Sequence, residues 1–181
     1  MAQRKFNLPG IQDLSKEQED ARALPKNGQH LIIGGPGTGK SVLALLRSRR
    51  HQMDKEHYSF LIYNHLLNQA SFQLFEMPLS SKQWMSWFMG HFNEVTGKPI
   101  PRLPAVNGSL WREINWQGVF EIIESQPVPS GQGLPYLIID EGQDMPPEFY
   151  QALTQLSFEN FFVVADPVSY THLTLPTSDL V

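Results

Sequence analysis

Eight consecutive residues, Gly34-Gly35-Pro36-Gly37-Thr38-Gly39-Lys40-Ser41, fit the pattern G-x-x-x-x-G-K-[ST] at every fixed position. Glycines at this spacing let the backbone curl until successive N–H groups point at one spot, a concavity suited to phosphate oxygens. A helix beginning near Lys40 would aim its positive dipole end at the same place. Lys40 would then reach the β- and γ-phosphates of a nucleotide, and the Ser41 hydroxyl would ligate Mg²⁺. A second segment, Tyr136-Leu137-Ile138-Ile139-Asp140-Glu141, carries an apolar run straight into two acids. Asp140 is expected to hold the Mg²⁺ and Glu141 to polarise an attacking water as general base. Each segment has an ordinary alternative, a structural glycine turn and a pair of acids opening a turn. Their occurrence together favours the chemical reading.

These residues need elements to position them. His30 to Gly34, Phe60 to Tyr63, Tyr136 to Ile139 and Phe161 to Val164 are short apolar runs suited to buried strands. Ser41 to Arg50 reads as a helix with Val42, Leu43, Leu45 and Leu46 on its apolar side. Ser15 to Leu24 reads as another, because Ser15 and Gln18 have capping-box spacing. Apolar strands alternating with helices predict an α/β fold: a mainly parallel sheet flanked by helices. Residues 66–133 are less regular and hold all four tryptophans; they suit an inserted subdomain or a long crossover. Within them Trp116, Phe120 and Ile123 are spaced for one helix face.

Composition bounds the rest. The 181 residues are 41% hydrophobic and 18% charged, with formal charge −4 and no cysteine. Disulfides and thiolate metal sites are excluded, and a generally basic nucleic-acid-coating surface is not indicated. The dense basic stretch Arg47, Arg49, Arg50, His51 and Lys55 reads as a solvated helix end. No apolar run reaches the roughly 18 residues of a membrane span, so the expected location is the cytoplasm, with no membrane partner.

With these motifs in place, the chain resembles the P-loop NTPases, and among them superfamily 1 helicases of the UvrD/Rep-like group. Asp140-Glu141-Gly142-Gln143-Asp144 is similar to their motif II, D-E-x-Q-D, and Leu14-Ser15-Lys16-Glu17-Gln18 to their Q motif. The resemblance implies a RecA-like ATP-binding domain over residues 1–167, using ATP and Mg²⁺. It places Gln18 on the adenine edge, which an amide can read with one donor and one acceptor. It also adds Gln143 to the nucleotide contacts formed by Gly34, Gly35, Pro36, Gly37, Thr38, Gly39, Lys40 and Ser41. For Gln18, capping and adenine reading are both open. Phe60-Leu61-Ile62-Tyr63-Asn64-His65 stands where motif Ia contacts single-stranded DNA, which nominates Tyr63 and Asn64. Trp84-Met85-Ser86-Trp87-Phe88 resembles a later motif, with Met85 in place of its histidine, and nominates Trp87. Base stacking and core packing compete at both tryptophans.

Phe161-Phe162-Val163-Val164-Ala165-Asp166-Pro167 looks like the start of motif III, without the glutamine that follows in the family. Val168 to Thr177, VSYTHLTLPT, is what one frame of a transposon-type sequencing adapter encodes. The expectation is therefore that residues 168–181 are a non-native tail and that native sequence breaks off near Pro167. A second RecA-like domain and its arginine finger would be missing, the fold incomplete on its C-terminal side, and the fragment alone inactive. The intact protein would be an ATP-dependent helicase moving on single-stranded nucleic acid, by resemblance DNA. The alternatives are a P-loop ATPase switch or signalling module without translocation, and an inactive nucleotide-binding fragment.

Overall fold

The computed structural model describes residues 14–62, 81–105, 112–126 and 133–167. Tyr63, Asn64 and the adapter-like tail lie outside them. In chain order the elements are helix α1 (Lys16–Ala23), strand β1 (Gln29–Ile33), α2 (Lys40–Met53), β2 (Tyr58–Ile62), β3 (Ser81–Gln83) and α3 (Trp84–Thr96). There follow α4 (Trp116–Glu124), β4 (Tyr136–Ile139), a 3₁₀ turn (Gly142–Asp144), α5 (Pro147–Gln155) and β5 (Phe161–Ala165). No helix among the described residues is long and apolar enough to cross a membrane.

The strands form one sheet in the order β1-β5-β4-β2-β3. Every pairing is parallel, with Ile32 beside Val164, Phe162 beside Ile138, Ile138 beside Phe60, and Leu61 beside Lys82. The chain thus adopts the expected α/β architecture. The strand before the glycine loop and the strand before the acids are separated by β5, an order consistent with a RecA-like domain. Wholly apolar β4 and β5 are buried along their full length because helices cover both faces of the sheet.

One face is closed by α2, whose Val42, Leu43, Leu45 and Leu46 pack with Phe60, Ile62, Ile138, Phe162 and Val164. The other carries α3, α4 and α5. There Trp84, Phe88, Phe92, Val119, Ile123, Phe149 and Leu153 form one cluster with Leu61, Leu137, Ile139 and Val163. The described parts of the irregular 66–133 region therefore add an edge strand and two helices to the same core. The alternation of inward residues along each strand separates these two clusters.

The basic stretch departs from expectation. Arg47 and His51 sit at i and i+4 on α2, facing the sheet, and are 4% and 2% exposed. Arg47 donates from Nη1 to Leu24 O at 2.9 Å and from Nη2 to Pro25 O and to Tyr136 Oη, the latter at 3.0 Å. Its guanidinium lies over the Tyr136 and Phe162 rings. His51 stacks on Tyr136 with centroids 4.3 Å apart, and burial holds its imidazole below the usual range despite the nearby Glu56. Arg47 is thus an internal clamp tying the end of α1 to α2 and β4. Arg50 and Lys55 of the same stretch are exposed.

Candidate nucleotide site

The candidate site lies at the carboxyl edge of the sheet, where ligands bind in open parallel sheets. β1 feeds the glycine loop, β4 feeds Asp140 and β5 feeds Asp166. The loop is built around one carbonyl: Gly35 O accepts from Thr38 N at 3.3 Å, Thr38 Oγ1 at 2.8 Å and Lys40 Nζ at 2.9 Å. Gly39, at φ 79° and ψ 17°, is the N-cap of α2 and offers no side chain to the first helical N–H groups. Its left-handed backbone suits glycine, and those N–H groups are what an anion would meet.

Gln18 combines two jobs. Its Oε1 accepts from Ser15 N at 2.9 Å and its N–H donates to Ser15 Oγ at 3.3 Å, which completes the capping box. Its Nε2 donates to Thr38 O at 2.7 Å. Capping is therefore observed, and the same amide tethers α1 to the glycine loop. Both ends of the amide are engaged by the chain, so reading an adenine edge would require it to exchange one of these contacts.

Lys40 and Ser41 open α2 and meet the acids across the crevice. Ser41 Oγ donates to Asp140 Oδ1 at 3.1 Å. Asp140 is 1% exposed, and its Oδ2 is buried with no hydrogen-bond partner. Burial first, then the charge of Glu141, push its carboxyl up to about 7. A buried carboxylate oxygen left unpartnered beside a serine hydroxyl fits a Mg²⁺ site, because this ion takes one or two protein oxygens and completes its shell with phosphates and water. Among the described residues no cluster of three His, Cys, Asp or Glu offers an all-protein cage.

Glu141 follows with φ 53° and ψ 46°. A non-glycine residue in the left-handed region stores roughly 1–3 kcal/mol, and such strain gathers where a side chain must be aimed. Its Oε2 accepts from Gln143 Nε2 at 2.6 Å, while Gln143 Oε1 accepts from Asp166 N at 3.0 Å. Gln143 thus bridges the acidic segment to the end of β5. Asp144, exposed at the rim, has its carboxyl raised, chiefly by desolvation and then by Glu141 and Asp166.

The turn is braced from below. Tyr150 Oη, buried on α5, donates to Gly142 O at 2.7 Å. A Cβ on Gly142 would collide with Val163 Cγ1 and approach Tyr150 Oη to 2.9 Å. Gly142→Ala is therefore expected to destabilise the protein by about 1–3 kcal/mol, the usual cost of overpacking. Urea denaturation checks this: an unchanged midpoint would show that the turn has room to spare.

Sequence reasoning brought Lys40, Ser41, Asp140, Glu141 and Gln143 to one crevice but missed Asp166 as a partner of Lys40, at 3.3 Å, and Tyr150 as a brace. The acid at the end of a strand was visible; its partner was not. Trp87 is 9% exposed, stacks on His91 at 5.3 Å and meets Phe158 edge-on, so the packing role is the one observed. Trp84 is likewise buried, against Phe149. A separate open cavity of about 680 Å³ between α1 and α2 is lined by Arg22, Leu43, Leu46, Met53 and neighbours and includes none of the loop residues.

No protein-family model matches the sequence, and no curated protein sequence matches it. Among solved structures the chain is similar to Bacteroides Pif1 bound to ssDNA, at 12% identity and a TM-score of 0.42. The match covers 84% of this chain and 32% of that one, so this chain spans about a third of the length of that protein.

Proposed function

We propose that this chain is the ATP-binding domain of a helicase or translocase that couples ATP hydrolysis to movement along single-stranded DNA. The observation that carries the nucleotide part is the meeting of Ser41 with Asp140, 99 residues further on, around an unpartnered carboxylate oxygen. The loop N–H groups and Lys40 bind and orient the phosphates. Ser41 and Asp140 are the residues that hold Mg²⁺, which when bound would neutralise charge on the β- and γ-phosphates. Glu141 takes a proton from the attacking water, and Gln143 fixes the direction of its carboxylate. Movement on DNA rests on the resemblance of Asp140-Glu141-Gly142-Gln143-Asp144 and Leu14-Ser15-Lys16-Glu17-Gln18 to the helicase motifs.

The test is phosphate release by the full-length protein with and without a single-stranded oligonucleotide. Stimulation by the oligonucleotide is expected, and Glu141→Gln should abolish turnover while binding Mg-ATP as tightly as the parent, because a base acts only in the transition state. ATP turnover indifferent to DNA would favour a switch ATPase. Loss of binding in Glu141→Gln would refute the role given to that residue.

A further inference from the structure

Asp166 has no part in the reading above, yet it occupies the phosphate end of the crevice. Its Oδ1 lies 3.3 Å from Lys40 Nζ, and the two side chains are 26% and 11% exposed. Lys40 otherwise donates to Gly35 O at 2.9 Å. An ammonium this shielded needs a counter-charge, since leaving it unpaired away from water is costly. Asp166 supplies that charge from the chain itself. A nucleotide brings its own negative oxygens to the same ammonium, and two anions on one Nζ repel at this range even where water screens them.

We propose that Asp166 is a built-in competitor for phosphate: it holds Lys40 while the site is empty and gives way when a nucleotide binds. This rests on the nucleotide-binding reading of the site. The backbone N–H of Asp166 donates to Gln143 Oε1 at 3.0 Å, and Gln143 Nε2 donates to Glu141 Oε2 at 2.6 Å. The path Lys40–Asp166–Gln143–Glu141 connects the phosphate contact to the proposed general base. The exchange thus takes place at one end of a hydrogen-bonded path whose other end is the Glu141 carboxylate. Asp166 lowers affinity for nucleotide.

Asp166→Asn removes the charge while keeping the side-chain shape and the backbone N–H; Asp166→Ala removes the side chain's polar contact altogether. Binding of Mg-ATP is measured by isothermal titration of the whole chain at fixed ionic strength, with circular dichroism verifying the fold of each variant. Both substitutions should tighten binding by roughly two- to fivefold, the size set by a partly exposed ion pair. A merely structural role for Asp166 would weaken binding or leave it unchanged, and either result overturns the proposal. If the unsubstituted chain and both variants fail to bind Mg-ATP, the nucleotide-binding reading itself falls and takes this inference with it. If the unsubstituted chain binds and the variants bind no better, only the competitor role falls.

Discussion

Lys40→Ala lowers affinity for Mg-ATP by about a hundredfold or more and leaves the fold in place. Lys40 stands at the first position of α2, and the apolar contacts of that helix are made by Val42, Leu43, Ala44, Leu45 and Leu46. Its own polar contacts are Gly35 O and Asp166. Losing a partly exposed ion pair costs little stability, typically under about 1 kcal/mol. Binding is a different matter, because the ammonium is placed to give charge-assisted hydrogen bonds to the β- and γ-phosphates. At roughly 1.5–3 kcal/mol each, two such bonds amount to a factor of about 10² to 10⁴. Isothermal titration with Mg-ATP measures the affinity, and thermal unfolding the fold, with Tm expected to stay within a few degrees. A variant that binds Mg-ATP as tightly as the parent would move the phosphate site away from this loop.

The parts legible in the sequence are those written in consecutive residues. The glycine loop between an apolar strand and a helix is one, and the apolar run ending in Asp140 and Glu141 is another. Strands β2, β4 and β5 announced themselves as compact apolar runs, because strands buried on both faces leave no polar alternation to confuse the reading; β1, at the sheet edge, was legible from its apolar run although it is only partly buried. Elements without that signal were missed. Ser81-Lys82-Gln83 forms the edge strand β3 with no apolar residue at all, held by its pairing to β2. Helix α5 opens at Pro147 behind an N-cap Pro146, and proline is well suited to the first helical turn where its missing N–H is not needed. The inward turn of Arg47 and His51 was hidden by their charge: the α2 stripe that faces the sheet includes them, and Leu24, Pro25 and Tyr136 accept from the two Nη atoms of the guanidinium. Distant contacts that no motif pairs were beyond the sequence. Lys40 and Asp166 are 126 positions apart, and only the placement of β5 beside β1 brings them together.

Asp140→Asn should separate stability from function in opposite directions. Asp140 is buried, its Oδ2 is unpartnered, and its carboxyl is pushed up to about 7. In the unfolded chain it returns to about 3.9. Between those values the folded protein keeps a proton that the unfolded chain has released, so stability falls as pH rises across the window and levels off above it. The rise from about 3.9 to about 7 corresponds to an upper figure of about 4 kcal/mol without metal. Asparagine does not titrate, so this pH slope should vanish in the variant. At pH 8 without Mg²⁺ the variant should be more stable by about 1–3 kcal/mol, the remainder being lost to an amide that cannot find all its partners. Binding goes the other way. A metal site needs the ionised carboxylate, so Mg-ATP affinity of the parent should rise with pH up to about 7, and the variant should bind at least tenfold more weakly with this rise gone. Urea denaturation from pH 5 to pH 8 without metal gives the first comparison, and Mg-ATP titration over the same range gives the second. A variant that is no more stable at pH 8 would mean that Asp140 is not strained by its burial. One that also binds Mg-ATP undiminished would remove Asp140 from the metal site.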